Sequence, residues 1–391
     1  MSLLGRPLLV VVAVLAVAAP VLTYVVWGHV GAHRGRLLVR GALLVACQVS
    51  AVLLVAVMVN DYGYFYTSWS EVWGGGTSSA ALPPLVPGRG ASAGPPRLAG
   101  SQGLRLLGDV PWSSPSQWAT RGRVISVDIG GVRSELSEHA YVYLPPQYFA
   151  RSSRTRLFPA VEVMTGYPGN EQSLVTRMKY PDQELAALRA HHASPMVLVM
   201  LRPSVTEPRD TECTDVPGGP QAMTYFAQDV PTAVEATLRV RPNDWAVMGD
   251  STGGYCATKI VMTHSDVFRA AVSFSGYYHA LRDHTTGDLW GGSRVLRSLN
   301  DPLWRLRHLP EPPVGLFASI ARGEGGAEGY RDTVRLQQAV AATHGPLRLT
   351  SLVVPDGGHN FAAWSALMPR AFSWLTQQLA MPGSPAGASR R

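Results

Sequence analysis

A chain of 391 residues, 46% hydrophobic and 16% charged, can hold a substantial core and is more apolar than a water-soluble enzyme requires. Its net charge of +7 comes from arginine, since Lys179 and Lys259 are the only lysines. No basic stripe is interleaved with aromatics, which argues against a nucleic-acid partner.

The apolar excess lies at the N-terminus. Leu8 to Trp27 and Gly41 to Asn60 each run 20 residues without a charge, a length that crosses the hydrocarbon core of a bilayer. A cleavable signal peptide is the rival reading of the first run. That run exceeds the usual signal core and a second follows soon after, so two spans are favoured. The connection between them carries Arg34, Arg36 and Arg40, against only Arg6 before the first. Basic short loops stay in the cytoplasm, so the expected topology puts this loop inside and everything after Asn60 outside. The aromatics Tyr62, Tyr64, Phe65, Tyr66, Trp69 and Trp73 then fit an interfacial belt, with a small apolar cluster on the globular part as the alternative.

Residues 1–73 therefore read as a membrane anchor and 74–103 as a flexible Gly/Pro/Ser linker. Residues 104–382 read as one catalytic domain, and 383–391 as a disordered tail. Cys47 falls mid-membrane, whereas Cys213 and Cys256 fall outside, where a disulfide between them can persist. Two buried free thiols are the alternative.

Within 104–382, short Val-rich runs alternate with longer helical patterns. The expected strands are Val124–Asp128, Ala140–Leu144, Pro159–Met164, Met196–Leu201, Trp245–Met248, Ala270–Phe274, Val314–Ser319 and Leu349–Val354. The expected helices are Pro181–His192, Met223–Leu238, Gly253–His264, Tyr330–His344 and Phe361–Leu379. This alternation predicts an α/β fold, a mostly parallel sheet flanked by helices. The first two strands have no helix between them, which suits an antiparallel start. The segment His279 to Pro310 interrupts the alternation and is expected to cover the site.

Gly-x-Ser-x-Gly occurs twice, at Gly90–Gly94 and at Gly249–Gly253. The first copy lies in the linker. The second follows the apolar run DWAVM and precedes a helical pattern, as a nucleophile elbow requires, with small residues flanking Ser251 because the turn is too tight for side chains. The helix start would offer the Thr252 N–H to a developing oxyanion. A second donor is expected after the strand FPAVEVM, in Thr165-Gly166-Tyr167-Pro168-Gly169. There Tyr167 has an N–H to give and Pro168 has none.

Of the 11 histidines, His359 alone sits between an apolar strand and a final helix, where a triad in the order serine, acid, histidine needs its base. The acid should follow the strand VGLFAS. Glu324 is the first carboxylate beyond it, Glu328 is the alternative, and Asp332 lies in the next helix. No HExxH, cysteine cluster or phosphate loop occurs, so neither metal nor cofactor is expected.

From about residue 121 to 380 the chain resembles the esterase D and mycoloyltransferase branch of the α/β-hydrolases. The resemblance rests on AYVYLPPQYF, MTGYPG, GDSTGGYCA, FSGYY and GGHNFAAW, in that order. It implies an α/β-hydrolase fold, Ser251 as nucleophile, His359 as base, and Tyr167 and Thr252 as oxyanion donors. It permits a glutamate as the acid, and a blurred match around Arg322-Gly323-Glu324 leaves Glu328 open. The expected function is that of an extracytoplasmic, membrane-anchored serine esterase or acyltransferase acting on small-molecule, lipid or glycolipid esters. The rivals are a non-catalytic cell-envelope binding protein and a peptidase on the same fold.

Overall fold

The structure, a computed structural model, describes residues 6–30, 35–63, 103–325 and 328–379. The expected linker up to residue 102, the tail, Ser92, Arg34 and the aromatics from Tyr64 to Trp73 lie outside the described residues, and Gly103, the last expected linker residue, opens a strand. Two compact units are present, a smaller N-terminal one and a larger one built around the sheet.

The N-terminal unit is a pair of helices, α1 (Arg6–Trp27) and α2 (Arg36–Gly63). Leu8 and Val12 of α1 pack against Leu54 and Val57 of α2, so the helices run antiparallel. Arg40 closes the pair by donating to the Trp27 carbonyl and stacking on its ring, 4.8 Å from the centroid. Elsewhere the apolar side chains face outward; Val17 of α1 and Val52 of α2 are each 66% exposed. Both helices are long and apolar enough to cross a membrane.

The larger unit holds nine strands: β1 (Gly103–Asp109), β2 (Arg123–Gly130), β3 (Ser137–Leu144), β4 (Phe158–Met164), β5 (Val197–Leu201), β6 (Val240–Asp250), β7 (Phe268–Phe274), β8 (Gly315–Ala321) and β9 (Arg348–Val354). They lie in the order β1-β2-β3-β5-β4-β6-β7-β8-β9. Pairing is antiparallel from β1 to β5 and parallel from β5 to β9. β1 was not among the expected strands, because its sequence GLRLLGD has two glycines and exposed positions typical of an edge. β4 is buried along its whole length, as a strand covered on both faces must be.

The flanking helices are α3 (Glu171–Thr176), α4 (Tyr180–Arg189), α5, α6 (Thr252–Thr263), α7 (Arg294–Leu299), α8 (Pro302–His308), α9 (Tyr330–Thr343) and α10 (Phe361–Gln378). The run expected over 223–238 is α5, which consists of Ala222–Thr224, a π-helical turn over Tyr225–Asp229 and Val230–Thr237. The sheet order reverses around β4, whose neighbours are β5 and β6. Open α/β sheets bind ligands at such switch points, beyond the carboxyl ends of the strands.

Candidate active site

Ser251 joins β6 to α6 with φ 53° and ψ −120°, a backbone conformation that L-residues rarely adopt. Close packing imposes it. A Cβ on Gly249 would lie 2.6 Å from the Met164 carbonyl oxygen and from the Gly253 carbon. One on Gly253 would lie 2.3 Å from the same Met164 oxygen. The two glycines of the motif thus let β6 and α6 press against the end of β4. Thr252 is the first residue of α6, where an N–H has no intrahelical acceptor.

The next strands each deliver one element of a hydrogen-bond chain to the same sheet edge. After β9, His359 Nδ1 donates to Glu324 Oε2 at 3.0 Å. After β8, Glu324 Oε1 accepts from the Ala321 N–H at 2.9 Å and from Ser275 Oγ at 2.8 Å. After β7, Ser275 accepts in turn from Trp364 Nε1 at 2.8 Å. The Trp364 ring meets His359 edge-on, with centroids 5.0 Å apart. Burial alone would push the Glu324 carboxyl up; the His359 hydrogen bond, with those from Ala321 and Ser275, holds it below the ordinary carboxylate value. Glu328 is exposed. Asp332 is buried elsewhere, accepting from the Tyr278 N–H at 2.6 Å and from His279 Nδ1 at 3.0 Å.

Tyr167 lies in the loop after β4, with its hydroxyl donating to the Pro208 carbonyl. The neighbouring Gly166 N–H donates to Asp250 Oδ2 at 2.9 Å. Cys213 and Cys256 form a disulfide that ties the 203–221 loop to α6.

That loop brings a buried polar cluster which sequence reasoning missed. Thr252 Oγ1 donates to Asp210 Oδ2 at 3.1 Å, and Tyr277 donates to Glu212 Oε1 at 2.6 Å. Lys259 Nζ donates to the Glu212 carbonyl, Thr214 Oγ1 and Asn300 Oδ1 at 2.6, 2.9 and 3.0 Å. Burial pushes the Glu212 carboxyl up and the Lys259 ammonium down, and each is drawn back by the other's charge. The excursion after β7 is sewn to the same loop: Arg209 donates to the carbonyls of Thr286 and Asp288 at 2.8 and 2.7 Å. Asp250 and Trp364 stand inside motifs that the sequence reading quoted, so adjacency to Ser251 and His359 could have flagged them. PRDTECTD offered no such signal.

A family model described as "Putative esterase" matches residues 135–375. An uncharacterized protein of Corynebacterium glutamicum is 23% identical over 270 residues, covering 66% of this chain and 62% of that protein. The chain thus spans less than two thirds of the length of the curated relative it matches. Among solved structures, an S-formylglutathione hydrolase from Agrobacterium tumefaciens has a TM-score of 0.58 at 13% identity, covering 71% of this chain and all of that one. A ferulic acid esterase has a TM-score of 0.56 at 17% identity, covering 67% of this chain and all of that one. At these identities the likeness is one of fold.

Proposed function

We propose, from the premise that this chain belongs to the esterase family matched over residues 135–375, that it is a serine carboxylic-ester hydrolase or acyltransferase. His359 takes the proton of Ser251 as the serine oxygen attacks an ester carbonyl. The N–H groups of Tyr167 and Thr252 receive the oxyanion. The tetrahedral intermediate collapses to an acyl-enzyme, and the alcohol leaves with the proton held by His359. Water or a sugar hydroxyl then attacks the acyl-enzyme with His359 again as base. Glu324 orients the imidazole and stabilises the imidazolium. The hydrogen bond from His359 to Glu324, on the sheet edge where Ser251 turns from β6 into α6, is the observation that carries this reading.

The proposed layout is a membrane anchor over 1–73, a linker over 74–103, a catalytic domain over 104–382 and a tail. The two apolar helices and the arginines between them support two spans with the domain outside the cytoplasmic membrane. The excursion between β7 and β8 is proposed to cover the site and to set acyl specificity.

The test is labelling with a fluorophosphonate probe, followed by a screen of p-nitrophenyl esters of varied acyl length. Labelling at Ser251 with ester turnover is the expected result. Absence of both would point to a binding protein on this fold, and amide turnover exceeding ester turnover to a peptidase. Protease treatment of intact cells should cleave the domain, and protection would overturn the topology.

A further inference from the structure

Asp250, the residue before the proposed nucleophile, takes no part in the chain from His359 to Glu324 to Ser275. It is 1% exposed. Its Oδ2 accepts the Gly166 N–H at 2.9 Å, and Oδ1 is buried without a partner among the described residues. Gly166 stands directly before Tyr167. Its backbone lies on the elbow itself: a Cβ there would be 2.9 Å from Ser251 Cβ and 3.1 Å from Asp250 Oδ2. Few other bonds hold this loop. The Thr165 N–H reaches the Leu201 carbonyl at 3.4 Å, Gly169 N–H closes the turn onto the Gly166 carbonyl at 2.7 Å, and the Tyr167 hydroxyl meets Pro208. The Asp250 carboxyl is thus a direct polar tie between the loop and the elbow.

We infer that Asp250 is a positioning residue that fixes the Tyr167 N–H relative to Ser251 by holding the preceding amide. The two halves of the oxyanion site come from different strands, β4 and β6, and an error of an ångström between them weakens a bond made only in the transition state. A residue on the nucleophile's own strand that grips the donor's neighbour removes this freedom. Burial pushes the carboxyl up to about 7, against the pull of the Gly166 N–H and of His359. The tie itself needs an acceptor and not a charge, so an amide in its place should serve. The inference rests on the reading of Ser251 as nucleophile and Tyr167 as donor.

The test compares Asp250→Asn, which keeps an acceptor, with Asp250→Leu, which keeps the branched shape but is bulkier and cannot accept. The full-length protein is assayed on p-nitrophenyl butyrate, with Ser251→Ala in parallel. Asp250→Leu should lower kcat by about 10²–10³, the loss seen when one oxyanion donor is removed, with KM within about threefold. A boronic acid that mimics the tetrahedral anion should bind more weakly in proportion to kcat/KM. Asp250→Asn should stay within about tenfold of wild type, which is the conservative rescue. If Asp250→Leu does not fold, Asp250→Ser, too short to reach Gly166, replaces it with the same expected loss. Equal losses in the Asn and Leu variants would overturn the inference, as would a Leu or Ser variant within tenfold of wild type or a change confined to KM. Activity retained by Ser251→Ala would instead overturn the reading of the nucleophile, whatever the Asp250 variants do.

Discussion

Two regions of this molecule carry a serine, a histidine and a glutamate, and they differ in kind. On the antiparallel side of the sheet, Ser126 Oγ and His139 Nε2 are 2.8 Å apart, and His139 Nδ1 donates to Glu171 Oε1 at 2.7 Å. By side-chain connectivity this is a complete serine–histidine–acid chain. Yet Ser126 lies inside β2, flanked by paired strands on both sides, and not at a strand-to-helix turn of its own. Ser251 stands at a strained turn, capping the start of a helix and against a glycine loop. Side-chain hydrogen bonds are thus insufficient to mark an active site; the backbone around the serine distinguishes the two regions.

The two serines give the sharpest way to break this comparison. Ser251→Ala should lower turnover on the order of a million-fold, as in a comparable triad, and abolish probe labelling. Ser126→Ala should change neither by more than a few-fold. Probe adducts on Ser126 in a peptide map would collapse the distinction.

The acids come next. Glu324→Gln preserves volume and removes the charge facing His359, so turnover should fall roughly ten-thousand-fold if the acid acts as in the protease triad. Glu171→Gln and Glu328→Gln should remain within a few-fold in steady-state assays. Loss at Glu328 with sparing of Glu324 would mean that the loop rearranges when substrate binds.

Stability separates the regions less steeply. The disulfide closes a separation of 43 residues beside α6, whereas the region of Ser126 has no such clip. Paired replacement of Cys213 and Cys256 by Ala should cost about 2–5 kcal/mol in denaturant unfolding, the usual range for a native disulfide. An unchanged midpoint would show that the cross-link contributes nothing.

The smallest effects lie in pH dependence. Glu324 is held below its ordinary value of 4.5, so its contribution to stability is present above that value and lost as pH falls through the lower folded value. Glu324→Gln should flatten the acid limb of the stability curve. His279 is raised above 6.5, first by its hydrogen bond to Asp332. Its contribution is complete below 6.5 and lost as pH rises through the higher folded value. His279→Gln should flatten that limb, and parallel melting curves for variant and wild type across both ranges would refute these assignments.

Much of this architecture was legible in the sequence because its signals are local. Charge-free runs of membrane length, Val-rich buried strands and the strand–turn–helix around Ser251 each lie within a short window. The order of Ser251, Glu324 and His359 follows from successive crossovers of a parallel sheet, which chain order preserves. The edge strand β1 escaped, since two glycines and a half-exposed pattern imitate a loop. What only the tertiary structure decided is which groups meet across strands. Glu324 and Glu328 are four residues apart, and the turn after β8 aims Glu324 at His359 while Glu328 stays in solvent. Asp250 reaches a loop 84 residues away, and Ser275 bridges Trp364 to Glu324. Such contacts depend on the packing of β4 against β6 and of β7 against β8. Hydrogen bonds act over about 3 Å, and no periodicity along the chain encodes distances of that kind between strands.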